Sequence, residues 1–277
     1  MASVSTFPSS ARPRARVVSA VVRRDYHVAR SYRLAFVLDL LNGVINLVVF
    51  FFISRTFGDP TSAELGGAPS YFAFAAVGIA LTIVIGAASA GLAARIREEQ
   101  LTGTLEALLA QPLTTAEVAL GLAGFPFLFA IVRAAFYILV AAALLGLDLS
   151  GADWVGFVVV LLMAGVALSA LGVLFGAVVL VVKRGEVLAG MITFGMGLLS
   201  GAFFPVSVLP GWLEPIGAVL PTRFAFDGLR DAIFRGEAWG ADAFALFAFA
   251  AVALPLGILA FREALGYARR SGTLAQY

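Results

Sequence analysis

Few residues in this chain are equipped for chemistry, and their scarcity narrows the field. Cysteine is absent and His27 is the sole histidine, so thiol chemistry, disulfides and His-based metal clusters fall away. A single histidine in a basic segment reads as a surface residue. Lys183 is the one lysine among 19 basic residues, and it follows Val182. A phosphate-cradling loop needs its lysine directly after glycine, so the sequence carries no standard ATP-binding motif, and no catalytic or metal-ligating residue is expected. What remains is an adjacent carboxylate pair, Glu98–Glu99, and a few polar groups set inside apolar runs: Asp39, Asn42, Asn46 and Arg133. Such groups can pair, line a polar path or meet another protein.

The elements that position them belong to a membrane protein. Hydrophobic residues make up 61% of the 277 and charged residues 13%, with a mean hydropathy of +0.98. Soluble domains sit nearer half apolar and a quarter charged. Roughly 20 apolar residues cross a hydrocarbon core as a helix. Six runs qualify, at 34–53, 71–92, 118–146, 154–182, 187–204 and 243–261. The predicted fold is an all-α polytopic membrane protein with one transmembrane domain over 34–261 and a cytoplasmic tail over 262–277. Pro126 and Pro255 are placed to kink the third and sixth spans.

Residues 1–15, rich in Ser, Pro and Arg, read as disordered. Arg23–Arg24 reads as a basic flank rather than an export signal, because the next apolar run is a full span. Of the 19 basic residues, Arg12, Arg14, Arg16, Arg23, Arg24, Arg30, Arg33, Arg95, Arg97, Lys183, Arg184, Arg262, Arg269 and Arg270 fall on the N-terminal side. The positive-inside rule then puts both termini in the cytoplasm, in a cell (plasma) membrane.

Residues 16–33 mix Val17, Val18, Val21 and Val22 with arginines and Tyr26, the pattern of an amphipathic helix in the headgroup layer. Asp39, Asn42 and Asn46 share one face of the first span, which suits a substrate pathway, a subunit contact or packing within the chain. Arg133 lies deep in the third span, where a charge is costly and pairs or functions. Asp39 is too near the cytoplasmic end to be its expected partner. Glu214 fits better if the segment after the fifth span folds back, and direct substrate contact stays open. That segment, "FFPVSVLPGWLEPIGAVLPTRFAFDGLRDAIFRGEAW", is broken by Pro205, Pro210, Pro215 and Pro221 yet stays apolar, with Trp212 among its large side chains. It predicts short re-entrant helices over 205–235, buried against protein, with Arg223–Asp227 and Asp231–Arg235 as i,i+4 pairs. Gly172–Gly176 and Gly197–Gly201 match a close-packing pattern, a weak signal in a chain with 29 glycines.

Between the second and third spans lies "IREEQLTGTLEALLAQPLTTAEV", residues 96–118. Ile96, Leu101, Leu105, Leu108 and Leu109 fall largely on one face of a helix over 95–111, and Pro112 ends it. Too short and charged to span, its apolar side must cover the membrane surface, the ends of spans or a partner. The run Arg97, Glu98, Glu99, Gly103, Thr104, Leu105, Glu106, Leu108, Leu109 and Pro112 resembles the signature of ABC-2 type transporter permeases. Pro205, Leu209, Pro210, Pro221, Asp227 and Arg230 stand where that family carries its Pro-rich re-entrant region. Gln100-Leu101-Thr102 depart from it, where many members carry further charge.

The resemblance implies a coupling helix docking into a separate ATP-binding subunit, present in two copies and holding ATP and Mg, and a second permease subunit, identical or different. It implies an exporter of drugs, lipids or glycolipids, with the lipid bilayer and no nucleic acid as its surroundings. Two other classes remain open from the residues alone. A lipid-modifying enzyme would need clustered acids, histidine or cysteine at one interface. An ion-coupled transporter working through Asp39 and Arg133 would need no coupling helix, and six spans show no inverted repeat.

Overall fold

The computed structural model describes residues 19, 22–27, 33–56, 65–110, 114–182, 185–236 and 238–271, with the backbone alone at Ala35, Phe36, Leu109, Thr115, Ala116, Arg269 and Ser271. The rest of the 16–33 segment, the 1–15 stretch, Pro112, Lys183, Arg184 and the end of the tail lie outside the described residues. Residues 22–27 are helical. Ten helices follow among the described residues: α1 Arg33–Thr56, α2 Tyr71–Ser89, α3 Gly91–Leu101, α4 Leu105–Leu109, α5 Thr115–Leu145, α6 Trp154–Val181, α7 Gly185–Leu199, α8 Glu214–Ala218, α9 Pro221–Arg230 and α10 Gly240–Ser271. In hydrocarbon only intrasegment hydrogen bonds satisfy the backbone, so long apolar runs become helices.

Their ends obey local chemistry. The Ser70 hydroxyl accepts from the Ala73 amide ahead of α2. Thr114 and Glu117 form a reciprocal capping box on α5. Asp153 accepts from the amides of Val155 and Gly156 at the start of α6. Both α5 and α10 run through their internal prolines as single helices.

Five helices are long and apolar enough to cross a membrane, within Val37–Thr56, Tyr71–Ser89, Glu117–Leu145, Trp154–Val181 and Gly240–Ala268. The run expected as a span over 187–204 instead gives α7, an apolar helix of 15 residues. At 1.5 Å per residue it covers about 22 Å, short of a hydrocarbon core of about 30 Å. Its helix stops at Leu199, and the chain turns through Gly201 at φ 85°.

Helix α2 is the axle of the bundle, buried along most of its length and in contact with α1, α5, α6, α7 and α9. Helices α6 and α10 pack along one another. One apolar core runs through α2, α5, α6 and α9 and includes Leu81, Tyr137, Leu168 and Phe226. A second joins α3 and α4 to the neighbouring ends of α5, α6 and α10 through Ile96, Leu105, Leu108, Leu122 and Phe261. Two faces stay open. Leu38, Leu41, Ile45 and Phe52 are exposed on α1, as are Val187, Met191 and Phe194 on α7.

The bundle therefore has two distinct ends. One gathers α3, α4, the start of α7 and the last part of α10. The other gathers the starts of α2, α6 and α10 with the Pro-rich segment. There Pro205 precedes a short 3-10 turn over Val206–Val208, and Pro215 and Pro221 lie in the first turns of α8 and α9, where a missing N–H costs nothing. A π-helical turn over Asp231–Arg235 closes the segment. Its helix α9 is packed among α2, α6, α7 and α10.

Candidate functional site

The α3–α4 end holds the charged stretch. Ala90 caps both α2 and α3, so α3 carries the chain onward from the end of α2. The helix expected as one piece over 95–111 is broken after Leu101. Gly103 adopts φ 72°, a left-handed conformation in which a Cβ is strained. The Thr102 hydroxyl donates to the Glu98 carbonyl at 2.9 Å, and the Thr104 amide donates to Glu99 O at 3.0 Å. These bonds close α3 and let Thr104 start α4. Polar groups that can serve the last carbonyls compete with continuing the helix.

The apolar side of this unit is spent within the chain. Ile96, Leu105 and Leu108 are buried against α5, α6 and α10, while Leu101 is 59% exposed. Glu98, Leu101, Thr102, Gly103, Thr104 and Glu106 form the outward face. Pro112 and the Leu109 side chain lie outside the described residues.

Glu99 does not share that face. It is buried, and its carboxylate accepts from Arg24 Nη2 at 2.7 Å and from the Thr104 hydroxyl. Arg24 also pairs with Asp25 at 3.0 Å. Arg95 reaches the same Asp25 at 2.9 Å and Glu98 on its other side. Arg97 stands 3.8 Å from Glu186 at the start of α7. Burial pushes the Glu99 carboxyl up, but hydrogen bonds from Thr104 and Arg24 and the charges of Arg24 and Arg95 outweigh it, leaving it below its ordinary 4.5. Asp25, Arg24 and Arg95 were not singled out as functional residues by sequence. The available signal was an acid beside two arginines, in a segment otherwise read only for its basic character.

A second constellation sits between α1 and α5. Arg133 donates to the Asp39 carboxylate, and the Tyr137 hydroxyl donates to the Asp39 carbonyl at 3.2 Å. Gly43 permits this crossing, because a Cβ there would stand 2.1 Å from the Tyr137 ring. The expected Arg133–Glu214 pair is corrected by this contact. Depth counted along each helix misleads. Arg133 is about 27 Å along α5 and Asp39 about 9 Å along α1, and the first turns of α5 extend past α1 to pack under α3 and α4. Glu214 is exposed in α8 at the opposite end. Asn42 and Asn46 stay exposed beside the ion pair, with Asn46 Nδ2 donating to the Asn42 carbonyl at 2.9 Å.

In the Pro-rich segment Trp212 is exposed, Arg223 pairs with Asp227, and Asp231 pairs with Arg235 at 3.0 Å. Arg230 is buried beneath them. Among the described residues no group of three or more His, Asp or Glu is placed to hold a metal.

A family model described as ABC-2 type transporter matches residues 16–234, a span that contains all three constellations. No curated protein matches the chain.

Proposed function

The chain belongs to the ABC-2 type transporter family, and from that premise we propose that it is the permease subunit of an ATP-driven exporter, moving a hydrophobic or amphipathic substrate such as a drug, lipid or glycolipid. Permeases of this family are transmembrane subunits without an ATP-binding cassette of their own and generally work with an ATP-binding subunit. In this reading two copies of that subunit hold ATP and Mg and hydrolyse it, while two permeases, identical or different, form the path. Both termini and the α3–α4 end lie in the cytoplasm of a plasma-membrane protein, and α7 with the turn after it supplies the sixth crossing. The Pro-rich segment re-enters from the outer side and closes the path there, and Pro205, Pro210 and Pro221 break it into the short pieces a gate requires.

The observation that carries this reading is the division of labour in α3 and α4. Their apolar side is buried in the bundle, and a polar turn centred on Gly103 projects with Glu98 and Glu106 free of the core. Force applied to that turn reaches α2, the axle of the bundle, through the continuous α2–α3 joint. Glu99 then acts from inside, bracing the turn through Thr104 and tying it to Arg24. Reversing charge at both Glu98 and Glu106 is the test. The variant should insert and fold as the wild type does, yet lose co-purification with the ATP-binding subunit or stimulation of its hydrolysis by about tenfold, as for a lost pair of interfacial charges. Unchanged association and unchanged hydrolysis would reject the docking role.

A further inference from the structure

At the end of the bundle away from α3 and α4, the Pro-rich segment and the starts of α2 and α10 enclose a cavity of about 630 Å³, within the range of roughly 300–1,000 Å³ typical of small-ligand sites. Five charged side chains line it: Glu214, Arg223, Asp227, Arg230 and Asp242. Arg223 and Asp227 neutralise each other. The other three form no ion pair among the described residues.

Arg230 is the unusual one. It is only 2% exposed, and among the described residues no carboxylate lies within ion-pair distance of it. Its Nη2 donates to the carbonyls of Phe74, Gly201 and Ala202 at 3.2, 2.8 and 3.4 Å. The Phe74 ring centre lies 3.5 Å from its guanidinium carbon. These contacts lock the plane of the group while leaving Nε buried without an acceptor and Nη1 without one among the described residues. A buried guanidinium with idle donors is a costly arrangement, and an oxyanion that accepts from one of them relieves part of that cost. Glu214 and Asp242 also line the cavity, and they oppose a ligand that is anionic only. A ligand carrying an ammonium a few atoms from its oxyanion satisfies both sets of charges.

We propose that this cavity binds a zwitterion, its phosphate or carboxylate on Arg230 and its ammonium toward Asp242 and Glu214. The chemistry is that of a phosphoethanolamine-type group, found both on membrane lipids and in free solution. The assignment does not depend on whether the Pro-rich segment gates a path or whether the chain couples to an ATPase.

The test is calorimetric titration of the full chain in a nonionic, maltoside-type detergent. Glycerophosphoethanolamine should bind saturably, about tenfold more tightly than glycerol phosphate or ethanolamine. Arg230→Gln should weaken it about thirtyfold or more, as for truncating one partner of a buried charge pair. The double variant Glu214→Gln/Asp242→Asn, altered at one exposed and one half-buried position, should lose the preference, so that glycerol phosphate binds within about threefold of the zwitterion. That variant decides the matter even where Arg230→Gln fails to fold. Lysophosphatidylethanolamine binding more tightly than its soluble headgroup identifies a lipid ligand, and equal binding identifies a free one. Absence of saturable binding by the wild type overturns the proposal. So does equal binding of glycerol phosphate by the wild type, or an unchanged preference in the double variant.

Discussion

Glu99 shows what a single residue contributes when its neighbours are known. In sequence it is one half of an acidic pair, indistinguishable from Glu98. In the fold one of the two faces outward and the other is buried under Arg24, because successive helical positions are about 100° apart and only one can look toward the bundle. Its pKa lies below the ordinary 4.5, so the stabilisation it provides is fully present above that value. It is lost as pH falls through the lower, folded-state value. Thermal unfolding followed from about pH 6 to about pH 3 should therefore show a steeper acid loss for the wild type than for Glu99→Gln. Parallel curves would mean that the carboxylate is not held as an ion.

The Asp39–Arg133 pair makes a second residue-scale prediction. Asp39→Asn or Arg133→Met should each destabilise by about 2 kcal/mol, below the roughly 3–5 kcal/mol of a fully buried pair, since the Asp39 side chain is 44% exposed in the single chain. Combining both changes should recover part of the loss in a double-mutant cycle. Additive losses would contradict a direct pair.

Among the elements, α1 has incomplete neighbours, as α7 does. It leans on α2 and α5 through Gly43 and Leu47 and leaves a broad apolar face open, with Asn42 and Asn46 along one edge. Polar groups facing lipid are costly, so this edge fits a second permease or a water-filled path. The chain has no native cysteine, so single cysteines can be placed cleanly. Cysteine at Asn42 or Asn46 should cross-link between two copies, or react with a soluble thiol reagent, several-fold faster than cysteine at Leu41, which points away from that edge. Equal behaviour at all three positions would place the asparagines against lipid. The same elements show how far periodicity could be read. It located α1, α2, α5 and α6 to within a few residues, because each is an unbroken apolar run, but it ended α10 at 261 and read 262–277 as a tail, whereas the helix runs on through its charged turns to Ser271. It could not see that α3 and α4 are separate, because that break depends on Gly103 and on two threonine side chains that satisfy carbonyls locally. Nor could it see that α7 stops at Leu199, since the apolar run continues through Phe204 while the backbone turns at Gly201.

For the whole molecule, the candidate site was legible where it rests on local pattern and hidden where it rests on relative depth. The charged stretch stood out between two apolar runs, and so did the i,i+4 pairs of the Pro-rich segment. The pairing of Arg133 with Asp39, and the network from Asp25 through Arg95 to Glu98, depend on how far α5 and α3 project past α1. No local spacing encodes that offset. Together these features describe a bundle with a buried central helix, α2, joined at one end to a projecting turn and packed at the other against the Pro-rich segment. Such a molecule is suited to passing motion from one end to the other, provided that something pushes on the turn.

The most direct test of that account is reconstitution of the chain in lipid vesicles with an ATP-binding subunit of the same transporter class, measuring ATP hydrolysis with and without the permease and with Gly103→Val in its place. The account predicts a stable complex whose hydrolysis depends on the permease. It also predicts that Gly103→Val, which forces a β-branched residue into a left-handed turn, inserts normally but loses most of that dependence. Hydrolysis indifferent to the permease, or a complex that forms equally well with the turn distorted, would contradict it.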